Sequence, residues 1–309
     1  MFIRANHVFL LVPALLQSAG LAIAQSPTTI LNNSTFQDVP QAGSPASSFY
    51  TFIQLAKRVG LAVPAAVGPC ATSTVGNPPV LPPPGSGTTP ISVVCPLFGP
   101  DAVVTRAEMA YWIVKSQLDE NQITNFLCAT GGDPSGMSCS GGLGSSTFGD
   151  LGVAGASIVN PFLGPNAALG IAGVTNQQLM RYIEVMVRRG YTKGCSGTND
   201  PSFRYCPNDP VTRAQMAVFI IRAKLNNVFP TSLSGVVLTE PYGDNFGTVP
   251  APYFTDVQPN DPVYKDYYLY VQKLRELGIT QGTSPTTYSP GNNVTRKEIA
   301  TFVVRAFFF

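Results

Sequence analysis

The chain starts the same helix three times. Val104-Thr105-Arg106-Ala107-Glu108-Met109-Ala110, Val211-Thr212-Arg213-Ala214-Gln215-Met216-Ala217 and Val294-Thr295-Arg296-Lys297-Glu298-Ile299-Ala300 each follow a turn rich in Pro, Asp or Asn. In each, the Thr hydroxyl can accept from the amide three residues on, where Glu108, Gln215 or Glu298 can reach back to the Thr amide, the pattern of a capping box. Behind the second start, Met216, Phe219, Ile220 and Ala223 recur at helical spacing and ask for burial. A helix start repeated three times predicts a repeat architecture.

Other elements recur in the same order. Phe36-Gln37-Asp38-Val39, Phe148-Gly149-Asp150-Leu151 and Phe254-Thr255-Asp256-Val257 open the three segments, the Phe as a core plug and the Asp as an acceptor for turn or helix-end amides. A helical stripe follows each: Phe49, Phe52, Ile53, Ala56 and Val59; Leu179, Tyr182, Ile183, Met186 and Val187; Tyr264, Tyr267, Val271, Leu274 and Leu277. Gly60, Gly190 and Gly278 stop these helices. From stopping Gly to capping Thr is 45, 22 and 17 residues, so the first segment carries a Pro/Gly/Ser-rich insertion at 64–90. From opening Phe to stopping Gly the second segment is longer by 18 residues, in the stretch 152–173. Such insertions belong on the surface. Residues 125–146 and 226–252 read as irregular linkers.

The N-terminus carries a basic residue, Arg4, an apolar run from Val8 to Leu16 and a small-x-small site at Ala22-Ile23-Ala24, as an export signal does. The apolar run is too short for a transmembrane span. Removing it takes away the one histidine, His7, and leaves 18 basic and 17 acidic residues. That near-neutral balance argues against nucleic acid. With no imidazole and with six cysteines expected to pair, neither a His-anchored metal or base nor a thiolate nucleophile is on offer. A glycosidase needs two carboxylates, and Glu240 or Asp244 could be cast in the part, but their spacing does not support it. The cysteines fall into local couples, Cys70 with Cys95, Cys128 with Cys139 and Cys195 with Cys206, which in an exported chain read as disulfides. Six cysteines still permit fifteen connectivities.

Taken together, Phe-x-Asp-Val/Leu, a helix ended by Gly, a Thr-x-Gly turn (Thr192-Lys193-Gly194, Thr280-Gln281-Gly282) and Val-Thr-Arg-Ala-Glu/Gln-Met-Ala resemble the S-layer homology domain. The resemblance implies an all-α, pseudo-threefold bundle of three repeats with grooves between neighbours, at 36–124, 148–226 and 254–309. Around them lie the signal peptide 1–24, a lead-in 25–35 and linkers 125–147 and 227–253. It also implies no catalysis and no cofactor. The partner would be an acidic cell-wall polysaccharide, often pyruvylated, or other surface-layer subunits, at the cell surface or facing the periplasm. Arg106, Arg213 and Arg296 stand where the helix dipole disfavours a cation, so an anion docking on free helix-start amides and a guanidinium is one reading. An Arg held by a nearby Asp, such as Asp101 or Asp209, is the other. Gly194 and Gly282 either admit a ligand to the backbone or serve a turn of positive φ. The first segment lacks the Thr-x-Gly turn, which puts its groove in doubt. A second functional reading is an interaction protein that uses its insertions to bind another protein.

Overall fold

The computed structural model describes residues 36–309 apart from 37, 44, 65, 70–93, 137–138, 140–143, 153–154, 161, 163–172, 197–202 and 227–250. The proposed signal peptide, the lead-in, Glu240, Asp244 and Cys70 lie outside these residues. The helices are α1 (Tyr50–Arg58), α2 (Arg106–Lys115), α3 (Glu120–Ala129), α4 (Asn176–Arg188), α5 (Arg213–Asn226), α6 (Tyr268–Glu276) and α7 (Arg296–Phe307). The structure is helical, as expected of an all-α chain, with one short two-stranded antiparallel sheet, β1 (Ala66–Pro69) with β2 (Val94–Leu97), added to it.

Helices α2, α5 and α7 touch one another at the centre. Ala110, Ala217 and Ala300 are fully buried in them, small side chains that permit close approach. Each central helix also packs against one outer helix, α2 on α4, α5 on α6 and α7 on α1, so the last helix returns to the first. At two of these contacts a central-helix cation lies on an outer-helix ring: Arg222 donates to the Tyr270 hydroxyl, and the Arg305 guanidinium sits 4.8 Å from the Phe52 centroid.

The outer helices end as their glycines predict. Gly60, Gly190 and Gly278 take φ of 78°, 71° and 69°. In each case the following amide reaches back five residues: Leu61 to Ala56, Tyr191 to Met186 and Ile279 to Leu274. This is the Schellman closure. The predicted stripes are inward except at their ends, where Val59 and Leu277 are exposed. Tyr50, Tyr268 and Tyr270 take buried places instead. The helices start later than the apolar periodicity suggests, Tyr264 and Tyr267 lying before α6.

Phe36, Phe148 and Phe254 are buried, and the Asp two residues after each organises a distant turn. Asp38 accepts from the amides of Phe98 and Gly99 at 2.7 and 2.6 Å, Asp150 from Tyr205 and Cys206 at 2.9 and 2.7 Å, Asp256 from Tyr288 and Ser289 at 2.8 and 2.7 Å. The second residue of each couple has positive φ, 68° at Gly99, 57° at Cys206 and 58° at Ser289. Two charge-assisted bonds thus hold a backbone conformation that non-glycine residues resist.

Cys128 pairs with Cys139 and Cys195 with Cys206. The second half of α3, from residue 125, lies in the stretch expected to be an irregular linker; a capping box between Asp119 and Gln122 starts the helix, which with the turn after it forms one segment. That segment is tied down by charge: Arg181 donates to Asp133 at 2.7 Å, to Glu120 at 2.9 Å and to the Thr124 hydroxyl at 2.6 Å. Burial alone pushes the Glu120 carboxyl up, but hydrogen bonds from Tyr182 and Lys115 and the charges of Lys115 and Arg181 outweigh it and hold it below its usual value.

Gly282 has φ 86°, and a Cβ there meets the Thr287 carbonyl oxygen at 2.4 Å and the Phe254 ring at 2.6 Å. Gly282→Ala is therefore expected to destabilise by about 2 kcal/mol or more and lower Tm by several degrees, read by thermal unfolding. Glu120 titrates below its unfolded value, so its contribution is present above the ordinary carboxylate range, about pH 4.3, and is lost as pH falls through the depressed value. The stability gap between wild type and Glu120→Gln, from urea unfolding at a series of pH values, should be widest at neutral pH and close in acid.

Candidate functional site

The three helix starts meet around one ring of backbone hydrogen bonds. Val104 donates to Val294 at 2.9 Å, Val294 to Val211 at 2.8 Å and Val211 to Val104 at 3.0 Å, which closes the cycle. All three valines are fully buried. The first two amides of each central helix then donate to carbonyls of the turn before the next: Arg106 and Ala107 to Asp209 and Pro207, Arg213 and Ala214 to Asn292 and Pro290, Arg296 and Lys297 to Ala102 and Pro100, all at 2.9–3.0 Å. The expectation of free amides waiting for an anion is corrected here. Those donors are already taken, because a buried amide without a partner costs more than the docking that satisfies it.

The caps follow the predicted residues with one departure. Thr105 accepts from Glu108 N at 3.2 Å and Thr212 from Gln215 N at 3.3 Å. The side chain of Gln215 accepts from Thr212 N at 3.2 Å, and that of Glu298 from Thr295 N at 2.9 Å. Glu108 does not reach back; its carboxylate turns inward to Trp112 Nε1 and to the guanidinium of Arg296.

The arginines of the repeated motif are all buried, with 3 %, 3 % and 1 % of Arg106, Arg213 and Arg296 exposed. Each lies over the ring that precedes the next central helix: Arg106 over Tyr205 at 4.7 Å, Arg213 over Tyr288 at 4.8 Å, Arg296 over Phe98 at 4.8 Å. Each Nε donates to that residue's carbonyl, at 2.7, 2.8 and 2.7 Å. Tyr205 and Tyr288 return a hydroxyl to the carbonyls of Arg106 and Arg213, both at 2.8 Å. With the hydroxyl buried, the pKa of Tyr205 is pushed up to about 12, the Arg106 charge opposing the rise and Asp150 adding to it.

Neither predicted partner holds these arginines. Asp209 supplies only its backbone carbonyl, and Asp101 pairs with Lys297. Arg213 instead pairs with Glu298 at 2.7 Å, and Arg296 with Glu108. Both carboxylates stand at the third position of the next central helix. Burial pushes the Glu108 carboxyl up, and the Arg296 charge and the Trp112 hydrogen bond pull against that. The third position of the helix next to Arg106 is Gln215 rather than an acid; Arg106 has no ion-pair partner among the described residues, and its Nη2 is buried without a hydrogen bond.

The Thr-x-Gly turns lie just outside this ring. Gly194 and Gly282 take φ of 81° and 86°, and their amides donate to the hydroxyls of Thr192 and Thr280, both at 3.1 Å. A Cβ at Gly194 meets the Arg204 carbonyl at 2.3 Å, as one at Gly282 meets Thr287. Positive φ and close backbone packing thus account for both glycines. Sequence reasoning missed the Arg–Glu pairing because its partners lie 85 and 188 residues apart. The one signal was that an acid or amide stands in all three copies at that position.

Residues 253–300 match the family of the S-layer homology domain. That stretch runs from the residue before Phe254 into α7 and contains the third helix start. No curated protein matches the chain. Domains of this family generally anchor proteins to the cell wall and are binding modules rather than catalysts, which implies a protein of the cell surface or envelope. Among the described residues, no helix is long and apolar enough to cross a membrane.

Breaking the better buried of the two ion pairs tests its structural role. Glu108→Gln leaves Arg296 buried without a countercharge, and is expected to cost about 3–5 kcal/mol in urea unfolding.

Proposed function

We propose that the chain holds on to an acidic bacterial cell-wall polysaccharide, without covalent attachment, through grooves between three segments of S-layer homology type. The observation that carries this reading is the family match at 253–300, taken with the recurrence of the same helix start and the same docking bonds at Arg106 and Arg213. On this reading 36–124 and 148–226 are divergent copies of the matched unit, arranged about a pseudo-threefold axis that the ring of Val104, Val211 and Val294 surrounds. The chain is exported and acts at the surface, or on the periplasmic face where the cell has an outer membrane. Arg213 and Arg296 are assigned to holding the cycle together, Gly194 and Gly282 to shaping the groove walls, and the polymer's acid groups, pyruvyl ketals among them, to the remaining positive charge. Contact with other surface-layer subunits is compatible with the same role.

The test is co-sedimentation of the mature protein with purified cell-wall sacculi, before and after the acidic polymer is stripped by mild acid. Retention on intact walls and its loss on stripped ones is the expected result. A protein that stays in the supernatant in both cases is not a wall anchor, and retention that survives stripping points to peptidoglycan rather than an acidic polymer.

A further inference from the structure

The two places where the repeat pattern breaks meet at one junction, that of α7 with α2. The first segment has Val63 where its sisters have Lys193 and Gln281, the middle residues of their Thr-x-Gly turns. The second segment carries the added stretch 152–173. Both reach Arg296 at the start of α7. Its Nη2 donates to the Val63 carbonyl at 2.8 Å, its Nε to Phe98, and its Nη1 pairs with Glu108, so all three nitrogens are engaged.

A ring from the added stretch completes the seal. At the α2–α5 and α5–α7 junctions the guanidinium has a second ring from the neighbouring central helix, Phe219 at 5.3 Å and Phe302 at 5.4 Å. At the α7–α2 junction the corresponding residue is Trp112, whose Nε1 donates to Glu108. Here Phe162 lies 5.6 Å from Arg296 and 5.1 Å from the Tyr111 ring on α2. Phe162 is only 3 % exposed, although insertions of this kind ordinarily stay at the surface.

The approach to that ring is tied down. Ser157 Oγ donates to the Asp150 carbonyl at 2.6 Å. Asn208 donates to the Ser157 carbonyl at 3.0 Å and accepts from Val159 N at 2.7 Å. Asn160 accepts from Phe162 N at 2.9 Å. The chain comes back against the same residue at Gly173, where a Cβ meets the Phe162 carbonyl oxygen at 2.5 Å. Ordering such a stretch costs conformational entropy, which these bonds and the buried ring offset.

We propose that the described part of 155–162 is a built-in plug: Phe162 fills the groove at the α7–α2 junction from within. That junction then takes no polymer, and wall attachment falls to the other two. The inference rests on the wall-anchor reading for what the open grooves hold, whereas the plug itself rests on the packing of Phe162. It also gives the second segment's insertion a task in the neighbouring groove.

Trp112 is the chain's one tryptophan and is fully buried at this junction, so its emission reports on the plug. Quenching by the neutral quencher acrylamide is compared in wild type, Phe162→Ala, Phe162→Leu and Gly173→Ala, with far-UV circular dichroism as the check on folding. Wild type and Phe162→Leu should stay protected. Phe162→Ala, which removes the ring, and Gly173→Ala, which pushes on its carbonyl, should each raise the quenching constant several-fold. Acidic polymer released from walls should leave Trp112 emission unchanged in the wild type and shift it, saturably, in Phe162→Ala. Folded Phe162→Ala or Gly173→Ala with Trp112 still protected overturns the plug, as does wild-type emission that moves with polymer. An opened Phe162→Ala that sediments with walls yet shows no polymer shift overturns it too. The expected quenching pattern without wall retention in any variant keeps the plug and removes the anchor reading.

Discussion

Helix starts leave amides without partners, and here each central helix gives its first two to the turn that begins the next. The third gives its own back to the first. This closed exchange is the constraint on which the rest depends. It satisfies buried donors that would otherwise need water or a ligand. It also makes no single segment self-sufficient, since α2 has partners only when the turns before α5 and α7 are in place. The same closure appears in the helix packing, where α7 comes home to α1.

Around that exchange, chain length is free to vary. Gly60 and Thr105 are much further apart in sequence than Gly278 and Thr295, yet Val104 and Val294 occupy corresponding places in the ring. The turns are held from elsewhere, each by an Asp that stands just after a buried Phe. A loop between stopping glycine and turn can therefore grow, provided the Asp still finds its two amides. In the second segment a disulfide links Cys195 to Cys206, the residue of positive φ. In the third, a hydroxyl contact of 2.7 Å between Thr283 and Ser289 reaches the corresponding Ser289.

Charge is used in the same circular way. Three buried guanidinium groups in so small a space call for compensation, and the fold provides stacked rings, carbonyls and two carboxylates. The compensation is incomplete at Arg106, whose Nη2 is buried without a hydrogen bond. The rings on either side of Arg106, Tyr205 and Phe219, come from the second segment, although Arg106 belongs to the first. The departures in the first segment's own Thr-x-Gly turn consequently bear less on Arg106 than its sequence neighbourhood suggests.

Caps, stopping glycines and the inward face of each outer helix were legible, because each depends on residues three to five positions apart. So was the work of the Phe-x-Asp openings as core plugs and turn acceptors. Helix α3 was missed because its 10 residues bury only Ile123 and Leu127, too weak a periodicity to register. The sheet was missed because its strands flank a stretch dominated by Pro and Gly. By itself the sequence determined where the three central helices begin and where three outer helices stop, since those follow from short-range spacing. Only the tertiary structure decided which carbonyls receive the helix-start amides and which arginine lacks an acid. Those partners are brought together by packing between segments far apart in the chain, and no local pattern records them.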